Sequence, residues 1–187
     1  RPPCSRRPSK SFELACRAIF GQQVTVIAAR KLAGHLVARA AKSVSADVTG
    51  DPRLSRVFPS PARVVATDLS TMPMPRARIA SLCALAEAAK KNPKLLDPTG
   101  TFDETLERLV ALPGFGPWTA QYWALRALRD SDAFPAADVG LLRHPAVADN
   151  GARPTPKALL ARAEAWRPWR AYAAQHLWTS DAEAMNG

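Results

Sequence analysis

The residues best suited to chemistry lie in Leu112-Pro113-Gly114-Phe115-Gly116-Pro117-Trp118-Thr119-Ala120, with Asp138 further along the chain. An apolar helix end runs into two glycines spaced by one residue, and Pro117 then opens a new helix. A tight turn of this kind offers backbone N–H groups at a helix N-terminus, where an anion such as phosphate can sit. Trp118 and Tyr122 are four residues apart, so they share one helical face. An anion site, an aromatic face and a carboxylate suit a protein that holds a nucleic-acid strand and acts on one base. An ordinary helix–turn–helix corner, with glycines relieving crowding, would have the same bare Gly-x-Gly. The hydrophobic anchors Leu109, Leu112 and Phe115 add the detail of a helix–hairpin–helix. Asp138 has two readings that can coexist: N-cap of the apolar segment that follows it, and a carboxylate able to stabilise positive charge or activate water.

The elements that must position these residues are helical. Phe12, Ala15, Cys16, Ile19 and Phe20 fall at i, i+3, i+4, i+7 and i+8, a core-facing stripe. Further helices are expected over about 24–42, a short one after Ser60-Pro61, 76–91 with Ile79, Leu82, Cys83 and Ala86 inward, 101–111, 117–129, 138–142, 155–166 and 168–178. Thr101 with Glu104 forms a capping-box pattern. No segment alternates like a strand over a useful length, and 43–60 reads as a loop. The formal net charge is +10, the pI is about 10.3, and 19 of the 26 basic residues are Arg. The guanidinium fork matches phosphate oxygens, although abundant Ala, Arg and Pro also fit a GC-rich coding sequence. Cys4, Cys16 and Cys83 are too few for a disulfide framework or a zinc site, and His35, His144 and His176 lack ligand spacing. No apolar run reaches membrane-spanning length.

On three ordered motifs the chain resembles the helix–hairpin–helix base-excision DNA glycosylases, and within them the 3-methyladenine DNA glycosylase II family. The first motif is the hairpin with Asp138. The second is Arg17-Ala18-Ile19-Phe20-Gly21-Gln22-Gln23-Val24. The third is Trp166-Arg167-Pro168-Trp169-Arg170-Ala171-Tyr172-Ala173 with His176 and Trp178. The resemblance implies an all-α, two-lobed helical glycosylase fold with a central cleft, over residues 12–180 with the hairpin near 105–129. A basic tail at 1–11 and a C-terminal tail at 181–187 flank it. It implies base flipping in duplex DNA and removal of alkylated purines of the 3-methyladenine and 7-methylguanine type. Alternatives are a glycosylase for uracil or an oxidised purine, and a non-catalytic DNA-binding module.

The roles the resemblance implies are residue-specific. Asp138 is the catalytic carboxylate. Trp118, Tyr122 and Trp178 line a base pocket in which electron-rich rings hold a cationic purine; for Trp166 and Trp169 core packing is preferred. Gln23 and Gln22 supply the wedge that fills the gap left by the flipped base. Gly114, Gly116 and Thr119 make the phosphate-binding hairpin. Carbonyls of Val110, Leu112 and Phe115 hold a monovalent cation, with no cofactor otherwise required. Trp118 stands where strand-cleaving relatives carry a Schiff-base Lys, which implies base removal without lyase activity. The absence of Cys after Cys83 excludes those relatives' iron–sulfur cluster from this stretch. A monomer acting on double-stranded DNA, in the bacterial cytoplasm at the nucleoid and not at a membrane, is expected. The sequence does not begin with Met, and relatives carry an extra N-terminal domain or a fused alkyl-transfer module, which fits a larger parent chain.

Overall fold

The computed structural model describes residues 8–45, 50–51, 55–97 and 101–184. Most of the expected tails (1–7 and 185–187) therefore lie outside the described residues, as does Cys4. From Pro8 onward the expected N-terminal tail is already helix, and the last helix runs past 180 to Ala184. The chain forms two compact units, residues 1–115 and 116–187.

In the first unit α1 (Pro8–Phe20), α2 (Val26–Ala40), α3 (Pro61–Val65), α4 (Arg76–Lys91) and α5 (Phe102–Val110) carry the structure. The stripe expected on α1 is buried throughout: Phe12, Ala15, Cys16, Ile19 and Phe20. It packs on α2 and α4. Thr25 caps α2 by accepting from the Ala28 N–H at 3.2 Å. At the other end of α2 Arg63 donates to the Ala40 carbonyl (2.6 Å) and Arg56 to the Ala38 carbonyl (2.7 Å). Cations there satisfy carbonyls that a helix end leaves orphaned. The loop expected at 43–60 contains a minimal antiparallel pair, β1 (Lys42–Ser43) with β2 (Arg56–Val57). On α4 the inward face is Leu82, Leu85, Ala86 and Ala89, whereas Cys83 is exposed. The helical period places position 85, not 83, over the core. The capping box of α5 forms in full, with Thr101 and Glu104 each accepting from the other's backbone N–H.

The second unit holds α6 (Pro117–Trp123), α7 (Val139–Arg143), α8 (Pro156–Ala163) and α9 (Arg170–Ala184). The single helix expected over 117–129 changes character partway. After Trp123 the backbone widens into a π-helical turn, Ala124–Leu128, which ends at Arg129 in the left-handed region (φ 55°). The last helix starts at Arg170, two residues later than expected, and packs on α7. Its N-terminus is tied down by Asp132, which accepts from Arg170 Nε and Nη2 (both 2.7 Å) and pairs with Arg167. Glu164 joins the network through Arg167 and Arg170. Burial works against the Asp132 charge, but the Arg170 fork and then Arg167 outweigh it and hold its carboxyl below the usual range. No helix among the described residues is long and apolar enough to cross a membrane.

Candidate active site

The second unit brings Trp118, Tyr122, Asp138 and Trp178 together. Trp118 and Tyr122 lie one turn apart on α6 and stack, with centroids 5.3 Å apart and planes at 18°. Trp178 comes from α9 and meets Tyr122 edge-on, at 6.1 Å and 63°. Asp138 is the N-cap of α7, accepting through Oδ1 from the Leu141 N–H at 3.1 Å. Both indoles also point at it. Trp178 Nε1 donates to Oδ1 at 2.9 Å and Trp118 Nε1 donates to Oδ2 at 3.0 Å. All four side chains are half-buried.

The supports are local to the same unit. Gln121 on α6 accepts from the Phe134 N–H (3.0 Å), fixing the loop that leads to Asp138. The Ala171 N–H donates to the Ser131 carbonyl (2.9 Å), fixing the start of α9. His144 at the end of α7 contacts Ser180 on α9 at 2.8 Å. Gly140 lies against the centre: a Cβ there would come within 3.0 Å of Asp138 Oδ1 and 3.5 Å of Trp178.

The carboxylate has four acceptor directions on two oxygens. Two are used on Oδ1 and one on Oδ2, so one direction on Oδ2 stays open for a water or a developing positive charge. Both uses expected of Asp138, cap and reactive carboxylate, are thus geometrically compatible. The indole N–H groups orient the carboxylate. Sequence spacing put Trp118 beside Tyr122 but held no signal that either indole would reach Asp138. It also missed Arg126, although position i+4 from Tyr122 was legible: its guanidinium lies 5.7 Å from the Tyr122 centroid and 5.3 Å from that of Trp178.

One other expectation changes. Trp166 packs edge-on against Phe134 (5.8 Å), but Trp169 is 58% exposed and pairs with Tyr172 on the surface, so it is not a core residue. Thr119, in the first turn of α6, has a buried side chain.

In the first unit the chain before the hairpin is held tightly. Leu109 and Phe115 are buried, and the Leu112 carbonyl accepts from the Phe115 N–H at 3.0 Å. Gly114 has φ +80°, and a Cβ on it would lie 1.9 Å from Ser81 Oγ. Only glycine fits there. Gln22 donates through its side-chain amide to the Gly114 carbonyl at 2.8 Å. That bond makes Gln22 a brace for the turn. Gln23, beside it, is exposed and has left-handed backbone (φ 56°).

Comparison with known proteins places the chain beside DNA repair enzymes. No family model matches the chain. It is 39% identical over 174 residues to the "Probable bifunctional transcriptional activator/DNA repair enzyme AlkA" of Mycobacterium tuberculosis, covering 93% of this chain and 34% of the relative. It is 34% identical over 175 residues to DNA-3-methyladenine glycosylase 2 of Escherichia coli, covering 91% of this chain and 58% of the relative. The chain is thus similar to the 3-methyladenine DNA glycosylase II family, and it spans less than two thirds of the length of these two relatives. Solved glycosylases share the helical fold. A 3-methyladenine DNA glycosylase from Archaeoglobus fulgidus superposes with TM-score 0.74 at 24% identity, covering 92% of this chain and 58% of that one. The Schizosaccharomyces pombe enzyme, solved in complex with abasic DNA, also gives 0.74 at 24%, covering 97% and 85%. At such identities these two glycosylase structures establish the fold alone.

Proposed function

We propose that this chain is a monofunctional DNA glycosylase that hydrolyses the N-glycosidic bond of alkylated purines in duplex DNA. The observation that carries the reading is the carboxylate of Asp138 held by two indole N–H groups and a helix N-terminus, with the same indoles forming an aromatic cluster. The relatives' names, 3-methyladenine glycosylases and a DNA repair enzyme, support the substrate class.

In the reaction the C1′–N bond breaks and its electron pair leaves with the base. An alkylated purine is already cationic, so it departs neutral without an added proton, and Asp138 need not act as an acid. Positive charge develops on the sugar, where the open direction on Oδ2 stabilises it. Water then adds to C1′ and its proton passes to Asp138 or to solvent. Trp118 takes the place of the lyase Lys and its N–H is engaged on Asp138, so no Schiff base forms and the strand stays intact.

The hairpin supplies the grip. Among the described residues no atom lies where a Cβ at position 116 would sit, and its φ is an ordinary −80°. Close approach of a phosphate would require glycine there, with Gly114 shaping the turn and backbone near Thr119 contributing N–H groups. The Leu112 carbonyl keeps a second lone pair beside its bond to Phe115, and with those of Val110 and Phe115 it would hold a monovalent cation that screens the phosphate. Gln23 is the wedge. The reading carries with it a monomer acting on nucleoid DNA in the cytoplasm.

The deciding experiment is a panel of single-lesion duplexes carrying 3-methyladenine, 7-methylguanine, uracil or 8-oxoguanine. Release of the alkylated purines, with strand cleavage only after hot alkali and no borohydride-trapped adduct, is expected. The Asp138→Asn variant should lose at least about 100-fold in rate. Equal rates for the two proteins would sink the assignment. Release of uracil or 8-oxoguanine alone would move the substrate class, and binding without product at any lesion would make this a DNA-binding module.

A further inference from the structure

Arg126 sits in the π-helical turn that follows α6, a rare backbone form that concentrates at functional sites. Its side chain is exposed, and among the described residues it takes part in no ion pair. Its contacts are with the π-systems of Tyr122 and Trp178, at 5.7 and 5.3 Å. A guanidinium is flat, delocalised, singly positive and weakly hydrated. An N-alkylated purine shares the first three of these features. Two like charges cannot share the same rings without repelling each other.

Resting on the function proposed above, we infer that Arg126 is an internal competitor for the cationic base: its guanidinium occupies the Tyr122–Trp178 cluster until a DNA phosphate draws it away. Among the described residues no carboxylate holds Arg126, and a phosphate offers its fork a charge-assisted, two-pronged partner, which exceeds an exposed cation–π contact. The rings therefore become available to a cation when the nucleotide's own phosphate arrives. A free cationic base or nucleoside has to displace Arg126 unaided. A neutral base meets no such charge competition.

The test titrates 7-methylguanosine and guanosine into wild type, Arg126→Gln and Arg126→Lys, following tryptophan fluorescence, with circular dichroism confirming the fold of each. Removing the charge in Arg126→Gln should tighten 7-methylguanosine about two- to fivefold, the scale of one exposed cation–π contact, and leave guanosine unchanged. Arg126→Lys should stay near wild type. The inference is overturned if 7-methylguanosine binding to Arg126→Gln is unchanged or weaker, if guanosine gains equally, or if the Lys variant shows the same gain. Release of 7-methylguanine from duplex is measured on the same wild-type preparation. Its absence would overturn the proposed function, whereas release with unaltered titrations would overturn the role of Arg126 alone.

Discussion

Asp138 accepts from three N–H groups, two of them on indoles whose rings belong to the aromatic cluster. Orienting the carboxylate and building the aromatic cluster are therefore tasks of the same side chains, and they can be separated by substitution. Trp178→Phe keeps an aromatic ring and removes the 2.9 Å bond to Oδ1. A hydrogen bond to a charged group contributes about 1.5–3 kcal/mol, so the single-turnover rate of base release should fall roughly 10- to 100-fold. Affinity for lesion duplex should change far less, because the ring face remains. Loss of affinity with an unchanged rate would mean that the indole N–H does not matter to the chemistry.

At the level of elements, the two hairpin glycines answer to different demands. Gly114 combines left-handed backbone with Ser81 packed into the space of a Cβ. Gly114→Ala should destabilise the first unit by about 2–4 kcal/mol, seen as a lower Tm. Among the described residues Gly116→Ala meets no atom and needs no unusual φ, so beyond the roughly 0.5–1 kcal/mol by which Ala is a poorer N-cap its stability should hold while DNA affinity drops. A stable Gly116→Ala protein with unaltered DNA binding would remove phosphate approach as the reason for that glycine. The tie at the start of α9 is electrostatic. Asp132 has a lowered pKa when folded, so its contribution is complete above the unfolded carboxylate value, about 3.9, and is lost as pH falls through the lower folded value. Asp132→Asn should cost about 2 kcal/mol at pH 7, since it leaves the nearly buried Arg170 without its fork partner. The Tm gap between the two proteins should be constant from pH 7 to 5 and narrow below pH 4. A gap independent of pH down to 2 would show that the ion pair is not what is lost.

For the whole molecule the relevant quantity is the Arg-weighted charge of +10. Phosphate contacts release counterions, so the logarithm of DNA affinity should fall linearly with the logarithm of salt, with slope about −0.9 per phosphate contacted. Fluorescence anisotropy on undamaged duplex between 50 and 200 mM salt, about the range over which such losses are read, would measure it. A flat response would show that the positive charge is not used on DNA.

Much of this protein is written in local sequence. Helix positions follow from apolar period and caps, since Thr25, Thr101, Asp138 and Thr155 each accept from their own first turn. The pairing of Trp118 with Tyr122 follows from the α-helical repeat. Other features needed contacts between segments distant in sequence. Packing buried Leu85 beside Leu82 and Ala86 and left Cys83 exposed. Surface geometry exposed Trp169, and a bond spanning 92 residues turned Gln22 into a brace. The convergence of Trp118 and Trp178 on Asp138 spans 20 and 40 residues, and Arg126 reaches its second ring only because α9 returns to the same place. Period and capping are properties of a few neighbouring residues and are legible there. Which polar atom meets which partner depends on how whole helices pack, and that is decided only when the chain has closed on itself.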